Sequence, residues 1–542
     1  MRNFETELKH KVDNLEDLSL IYTPGVGASC KQIEADSAFV NTLTNRKNSV
    51  AVIFDALKCP YSFIPHAEAV CAILKKVADI DAYPLLSTGY DINALVRNLE
   101  PSFGGFYVFS NTKVVDFSKV IVQENLDGYE FEAVVENART MKQELESFKV
   151  ESFSACSSDT LASHALNLRA SLNGVIQVKN NFKLLSIKEM SEKFSKENLD
   201  KIAEQIRKTP QAVWELTSKK HTVGIITDGS ATLGFGNTGA ACALPVMEGK
   251  AALFKTLGDI DAFSLCLKTQ DVDEIVKIST AISYSFGSIN LEDINAPRCF
   301  EIEEKLIEKC NIPVFHDDQH GTAIVVLAAF LAACDALGKD YKQVKVVMSG
   351  AGAAAVAVAK LLLKAGVKNL VLSDKYGVIH KNRTENMNKY LVKMAQVTNL
   401  QNEEGTLKDV IKGADFLIGL SAGNIVDEDM VKSMNENPVV FALANPVPEI
   451  MPDIALEAGA AIVATGRSDF PNQINNSLAF PGVIKGVLEK HVKVITEDLK
   501  VACAKAIYDY TKELGISELN ILPNALDKEV VARIANAIHG EV

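Results

Sequence analysis

The sequence lacks the cysteine pairs and the long apolar runs that mark several classes of protein. Its ten cysteines are scattered, and none stands in a CxxC pair. Scattered cysteines are typical of reduced thiols, so we expect neither a disulfide framework nor a zinc ribbon. No uninterrupted run of about eighteen apolar residues is present that could cross a membrane. The stretch 1–20 is charged throughout and has no apolar core of a signal peptide.

Positive charge is also scarce. The chain has 56 lysine and arginine residues against 69 aspartate and glutamate residues, and its formal net charge is -13. Such a balance does not favour nucleic acid or an anionic membrane as a partner. Hydrophobic residues make up 47% of the 542 positions, which is enough for the cores of two or more domains. Together with the scattered cysteines, this composition leads us to expect a cytoplasmic protein.

The last two fifths of the chain alternate short apolar stretches with helical ones. Strands are expected at 345–348, 370–373, 416–419, 439–443 and 460–464. Strands that alternate with helices predict a parallel, doubly wound sheet, which is the Rossmann-type α/β fold. We assign this dinucleotide-binding domain to 336–480. The stretch 481–542 is expected to form C-terminal helices.

A glycine-rich loop follows the first of these strands. Gly350 permits a tight turn, Gly352 lets the backbone approach a pyrophosphate, and Ala355 allows close packing of helix on strand. Asp374 stands at the end of the second strand, where a carboxylate accepts a hydrogen bond from the ribose 2′-hydroxyl of NAD. Lys375 directly after it tolerates a 2′-phosphate, so NADP stays an alternative to NAD.

An internal repeat occupies the first three fifths of the chain. Three stretches match in the same order: 43–50 with 216–223, 75–83 with 255–263, and 102–105 with 285–288. We interpret 39–110 as a diverged copy of 212–293. The copy belongs to an insertion, 39–211, whose remainder is read as a linker region without a chemical motif. An N-terminal segment, 1–38, precedes the insertion, and a catalytic substrate and metal domain, 212–335, follows it.

Two pairs of acidic residues each follow an apolar, strand-like stretch. Glu292 and Asp293 form the first pair, and Asp317 and Asp318 form the second. Carboxylates at two strand ends can surround one hard divalent cation. The alternative is that these acids are solvated turn residues, and the spacing alone does not decide between the two interpretations.

Seven strings of residues resemble the bacterial-type malic enzymes, in the order in which that family carries them. They are 22–26, 227–237, 245–251, 289–293, 315–322, 444–446 and 466–476. The resemblance implies a dinucleotide-binding domain together with a second α/β domain that binds substrate and metal. It also implies NAD(P)-dependent oxidation and decarboxylation of L-malate to pyruvate, with Mg²⁺ or Mn²⁺.

The same resemblance implies roles for individual residues. Lys250 corresponds to the base that takes the proton of the malate C2 hydroxyl, with Asp317 orienting it. Tyr22 corresponds to the acid that protonates C3. The metal ligands implied are Glu292, Asp293 and Asp318, and the substrate contacts are Asn445, which also lies by the cofactor, and Asn476.

The sequence departs from the family pattern in one place. Members pass from the first string to the second after a short stretch, whereas here the insertion intervenes. In the repeat, Val70 stands opposite Lys250, and Phe109 and Ser110 stand opposite the acids Glu292 and Asp293. The copy therefore lacks both the base and the metal ligands.

Two other functions remain compatible with these residues. A malolactic-type enzyme would retain NAD and release lactate. A regulatory homologue would have lost catalysis, although the intact lysine, acids and cofactor loop speak against it. A homo-oligomer, with a dimer favoured, is expected from the resemblance.

Overall fold

A computed structural model of the protein describes residues 4–22, 24–56, 59–114, 120–126, 128–147, 160–180, 186–232 and 235–539. The chain divides into two compact units. The first comprises Met1–Ile294 and Ile302–Val314, and the second comprises Asn295–Glu301 and Phe315–Val542.

The strands of the first unit form three sheets. Their bounds are β1 Phe4–Leu8, β2 Ser49–Asp55, β3 Asp81–Ser87, β4 Gly105–Phe109, β5 Val120–Glu124, β6 Ile176–Asn180, β7 Thr222–Thr227, β8 Asp261–Cys266, β9 Ser288–Leu291 and β10 Val314–His316, of which Val314 belongs to the first unit. One four-stranded sheet has the order β3-β2-β4-β5 and the other has the order β10-β9-β7-β8, while β1 pairs with β6. The pairs β2–β3, β2–β4, β7–β8 and β7–β9 are parallel, and β1–β6 is antiparallel.

Helices cover the sheets of the first unit. They are α1 Leu15–Ile21, α2 Val26–Ala35, α3 Val40–Leu43, α4 Ile64–Ala78, α5 Ile92–Leu99, α6 Phe131–Glu146, α7 Leu161–Leu172, α8 Ile187–Lys193, α9 Lys196–Lys208, α10 Val213–Leu216, α11 Ala240–Gly258, α12 Val272–Ile282 and most of α13 Arg298–Lys309. Helix α11 is apolar on nearly every side, which is typical of a helix enclosed by a core. Helix α4 is equally buried along most of its length.

The second unit is built around one six-stranded sheet. Its strands are β11 Lys345–Ser349, β12 Asn369–Asp374, β13 Gly377–Val378, β14 Phe416–Gly419, β15 Val439–Ala442 and β16 Ile462–Thr465. The order is β13-β12-β11-β14-β15-β16, and all neighbours except β12 and β13 are parallel. The sheet confirms the predicted doubly wound fold, and its strands lie within two residues of the predicted ones.

Helices of the second unit connect and flank these strands. They are α14 Thr322–Ala336, α15 Ala353–Ala365, α16 Lys389–Val397, α17 Leu407–Val410, α18 Glu428–Lys432, α19 Pro452–Glu457, α20 Phe480–Lys490, α21 Glu497–Leu514 and α22 Lys528–Ala537. Within the described ranges, one helical stretch, Asp317–Ala336, meets a hydropathy criterion for a membrane span, with a mean hydropathy of 1.4. It is 72% buried inside the protein, as a core helix is, and two aspartates open it.

Candidate active site

A buried lysine of the first unit lies between an acid and a tyrosine. Lys250 is on α11, and its side chain is fully buried. Its Nζ lies 2.8 Å from Oε1 of Glu292, which directly follows β9. The same Nζ lies 5.5 Å from the ring centroid of Tyr22, which caps the C-terminus of α1. An amine that is removed from water in this way depends on its polar and aromatic neighbours for stabilisation.

A glycine on α11 makes this approach possible. A Cβ atom on Gly249 would lie 2.6 Å from the carbonyl oxygen of Ile21 and 2.8 Å from Cδ2 of Tyr22. Both distances are shorter than a carbon atom allows. The helix therefore offers a gap one residue before Lys250, and the Tyr22 segment packs into it.

A buried arginine connects the Tyr22 segment to α11. Arg169 of α7 donates from Nη1 to Glu248 Oε2 at 3.1 Å, and from Nη2 to the carbonyls of Ile21 at 2.7 Å and Pro245 at 2.8 Å. Its side chain has no exposed surface. Arg169 thus ties the residue before Tyr22 to the helix that carries the base.

The first acidic pair lies at the carboxyl end of β9. Glu292 and Asp293 are both buried. Asn290 donates to Glu292 Oε2 at 2.8 Å, and the carbonyl of Asp293 accepts the N–H of Ala231 at 2.9 Å. Asp293 has a φ of 53°, a left-handed conformation that redirects the chain directly after the strand. Both residues offer carboxylate oxygens, the donors that Mg²⁺ and Mn²⁺ prefer.

The second acidic pair opens the core helix of the second unit. Asp317 is buried, and its Oδ2 accepts a 2.5 Å hydrogen bond from Nδ2 of Asn476. Asp318 is half-buried, with its Oδ2 3.8 Å from Nδ1 of His316. A Cβ on Gly321 would overlap Oδ1 of Asp317, so a larger residue there would displace this carboxylate. Two residues selected from distant motifs, Asp317 and Asn476, are therefore brought into contact.

The predicted cofactor loop lies between β11 and α15. Gly350 has a φ of 120°, and a Cβ there would lie 2.5 Å from the carbonyl oxygen of Leu420. Gly352 caps α15, and a Cβ built on it meets no atom within 4 Å. Ala355 is fully buried. The first glycine thus makes the turn, while the second leaves open space beside a helix N-terminus, which suits a pyrophosphate.

The acid at the end of β12 has an arginine partner that sequence reasoning missed. Arg383 donates to Asp374 Oδ1 at 2.9 Å and to Oδ2 at 2.8 Å, a bidentate pair. The N–H of Tyr376 also donates to Oδ1 at 2.8 Å. A bidentate arginine fixes the plane of a carboxylate, and a guanidinium also binds phosphate oxygens.

A buried glutamate supports the loop that carries Asn445. Asn445 itself is exposed. Glu449 accepts the N–H of Ser421 at 2.9 Å and that of Ala444 at 3.0 Å, so it links the ends of β14 and β15. Burial raises the pKa of Glu449, although these backbone donors oppose the effect. Neither Glu449 nor Arg169 belongs to one of the seven strings that resemble the family, so the sequence analysis did not select them. Their sequence signal is a charged residue with apolar residues nearby, which is weak evidence for a functional role.

The comparisons with known proteins cover most of the chain. A family model described as "Malic enzyme, N-terminal domain" matches residues 173–307, and one described as "Malic enzyme, NAD binding domain" matches 319–542. The NAD-dependent malic enzyme of Geobacillus stearothermophilus is 48% identical over 62% of this chain and 70% of its own length. The bifunctional malic/malolactic enzyme of Bacillus subtilis is 45% identical over 70% of this chain and 92% of its own.

The similarity extends to solved structures. The crystal structure of an NAD-dependent malic enzyme from Thermotoga maritima aligns with a TM-score of 0.67 at 44% identity, over 69% of this chain and 99% of that one. A malic enzyme from Pyrococcus horikoshii aligns with a TM-score of 0.64 at 42% identity, over 66% and 84%. The doubly wound sheet and its glycine loop define a dinucleotide-binding domain, and the NAD- and NADP-dependent relatives place the chain among the nicotinamide-dependent oxidoreductases. The chain belongs to the malic enzyme family, as the seven strings predicted.

Proposed function

We propose that the protein oxidises L-malate and decarboxylates it to pyruvate and CO₂ with reduction of a nicotinamide cofactor. The observation that carries this proposal is the buried Lys250, paired with Glu292 and covered by the ring of Tyr22. A general base and a general acid side by side, out of contact with bulk water, suit a reaction that removes one proton and returns another.

The two groups have separate tasks. Lys250 takes the proton of the C2 hydroxyl group as hydride leaves C2. Tyr22 returns a proton to C3 after the C4 carboxylate has left as CO₂. Arg169 binds the carbonyls of Ile21 and of Pro245 on α11, and these bonds fix the distance between Tyr22 and Lys250.

The residues present fit the groups that the family implies. Glu292, Asp293 and Asp318 offer only hard oxygen donors, which suit Mg²⁺ or Mn²⁺ better than Zn²⁺. When bound, the cation polarises the carbonyl oxygen and the nicotinamide accepts the hydride. Asn476 is oriented by Asp317 and contacts the substrate. Asn445, held in its loop by Glu449, contacts substrate and cofactor.

The glycine loop and Asp374 lead us to propose NAD as the preferred cofactor. The carboxylate favours an unphosphorylated ribose through a hydrogen bond to its 2′-hydroxyl. Arg383 beside it leaves NADP as a second substrate. We propose the cytoplasm as the compartment. A homo-oligomer stays a prediction.

An assay of the full chain with L-malate, Mn²⁺ and each cofactor tests the proposal. We expect reduced cofactor and pyruvate to appear in equal amounts, faster with NAD. Lactate without net reduction of the cofactor would instead identify a malolactic reaction. No turnover of malate with either cofactor would contradict the proposed function altogether.

A further inference from the structure

The two four-stranded sheets of the first unit correspond strand by strand. Strands β2, β3 and β4 begin at Ser49, Asp81 and Gly105, whereas β7, β8 and β9 begin at Thr222, Asp261 and Ser288. These are the positions that the sequence repeat pairs with one another. In both sheets the first strand lies between the other two.

Contacts between the two sheets and their helices are reciprocal. Glu68 of α4 accepts the N–H of Ser218 at 2.7 Å, and its counterpart Glu248 accepts the N–H of Asn45, the counterpart of Ser218, at 2.6 Å. Each sheet with its helices thus makes the same contact to the other. Reciprocal contacts of this kind indicate an approximate twofold axis between the two halves, as in an isologous dimer.

A second pair of contacts repeats this pattern. The hydroxyl of Ser285 accepts the N–H of Leu86 at 2.7 Å, and the hydroxyl of Ser102 accepts the N–H of Cys266 at 2.7 Å. Ser102 and Ser285 are counterparts in the repeat, as are Leu86 and Cys266. The rings of Tyr83 and Phe263, also counterparts, meet edge to face at 4.9 Å between centroids.

The correspondence extends beyond the segment that the sequence comparison recognised. Strands β1 and β6 pair with each other in antiparallel register, with Thr6 opposite Val178. Thr6 donates its N–H to Asp261 at 2.8 Å, and Val178 donates its N–H to Asp81, the counterpart of Asp261, at 2.9 Å. The family model for the N-terminal domain also begins at residue 173, before β6.

The helices after these strands also match. Helix α1 follows the cap Asn14 and has seven residues, and α8 follows the cap Ser186 and has seven residues. Tyr22 is the C-cap of α1, and Phe194 is the C-cap of α8. The stretch read from sequence as a linker, 111–211, thus ends in a counterpart of the N-terminal segment.

Each N-terminal segment packs on the other copy. Tyr22 lies over Lys250, in the second copy. In the opposite direction, Asp200 of α9 lies 3.2 Å from His66 of α4, in the first copy, and the carbonyl of Phe194 accepts the hydroxyl of Tyr129, which follows that copy in the chain, at 2.7 Å.

We propose that residues 4–124 and 174–293 are two copies of one domain that exchange their N-terminal segments within a single chain and share one catalytic centre. The first copy keeps the tyrosine and has lost the base, with Val70 in the place of Lys250. The second copy keeps the base and has lost the tyrosine, with Phe194 in the place of Tyr22. Only the combination of Tyr22 and Lys250 is complete, so each chain has one centre.

This proposal rests on the proposed function, because it assigns the acid and the base to different copies. It also gives the insertion, 39–211, a purpose. The insertion completes the first copy, whose N-terminal segment already carries Tyr22, and it forms the surface that a second subunit would otherwise provide. The opposite combination, Phe194 with Val70, carries no proton-transfer group.

Full-length variants at the two counterpart positions test the exchange. Tyr22→Phe is expected to lower malate turnover about a hundredfold, the usual scale for a general acid. Phe194→Tyr is expected to leave turnover unchanged. The double variant is expected to remain as slow as Tyr22→Phe, because residue 194 of the second copy packs on the first copy and not on Lys250. Recovery of most of the activity in the double variant would place Phe194 at Lys250 and overturn the exchange.

A mixing experiment provides a second measurement should Phe194→Tyr not fold. Full-length Tyr22→Phe and Lys250→Ala chains are unfolded together, refolded and assayed, beside each chain refolded alone. No gain over the separate chains is expected, because each chain assembles its own centre. Recovery of a substantial fraction of wild-type activity would show exchange between chains and contradict the proposal. If Tyr22→Phe alone is fully active, the role of Tyr22 in the proposed function is wrong.

Discussion

Lys250 is the residue on which the proposed chemistry depends most directly. Replacing it by alanine removes the base, so malate turnover should fall about a hundredfold or more. Decarboxylation of added oxaloacetate should suffer less, because that step removes no proton from C2. Lys268→Ala, at an exposed position of the same unit, is the matched control and should leave both rates unchanged. An equal loss of both reactions in Lys250→Ala would show that the lysine is not the base.

Asp374 is expected to set the cofactor preference. Asp374→Ala should weaken NAD binding by about 1–2 kcal/mol, the scale of a charge-assisted hydrogen bond. NADP should lose less, or bind more tightly, because Arg383 is then released from its bidentate pair. Titration calorimetry with both cofactors measures this. Arg383→Ala is the control and should weaken NADP more than NAD, and a larger loss for NADP in Asp374→Ala would reverse the assignment.

At the scale of secondary structure, the contact between α4 and α9 should make stability depend on pH. Burial lowers the pKa of His66, and the nearby Asp200 only partly opposes this. The folded protein therefore keeps His66 neutral, while the unfolded chain protonates it below about pH 6.5. Stability should fall as the pH drops below that value, by at most about 1.4 kcal/mol per pH unit for one group.

Thermal unfolding at pH 7.5 and 5.5 measures this contribution. In His66→Gln the decrease in melting temperature between the two values should be smaller than in the wild type. His164→Gln, at an exposed position, should behave like the wild type. If His66→Gln shows the full decrease, another group is responsible.

At the scale of the whole molecule, the protein should need a divalent cation for activity. The proposed ligands are all carboxylates, so Mg²⁺ or Mn²⁺ should restore turnover after exhaustive chelation, and Zn²⁺ should do so poorly. Activity of the chelated enzyme is compared with and without each added ion. Full turnover without any divalent ion would exclude the metal role of Glu292 and Asp293.

The two proposed copies predict two variants that both lower stability but differ in their effect on catalysis. Glu68→Ala leaves the buried N–H of Ser218 without its acceptor, at a cost of about 1–3 kcal/mol. Glu248→Ala does the same to Asn45 and also breaks the ion pair with Arg169. Both should lower the free energy of unfolding in urea, but only Glu248→Ala should lower kcat. Equal losses of kcat would mean that the first copy takes part in catalysis beyond Tyr22.

The sequence by itself determined the family and the cofactor-binding fold, and it predicted the residues that we propose carry the chemistry. Local sequence patterns suffice for these predictions, because a glycine-rich turn and an apolar strand can each be recognised from a few neighbouring residues. Strand β14 was predicted to the residue, and the ends of α20 only to within three. Helix ends depend on caps that apolar periodicity does not contain.

Only the tertiary structure decided which residues meet. The contacts of Asp317 with Asn476, of Asp374 with Arg383 and of Tyr22 with Lys250 join positions far apart or unmarked in the chain. The proposed match of α8 with α1 also required the structure, because it rests on the pairing of β1 with β6 and on the caps of the two helices. Long-range packing follows from the shape of whole surfaces, and no local stretch of sequence specifies it.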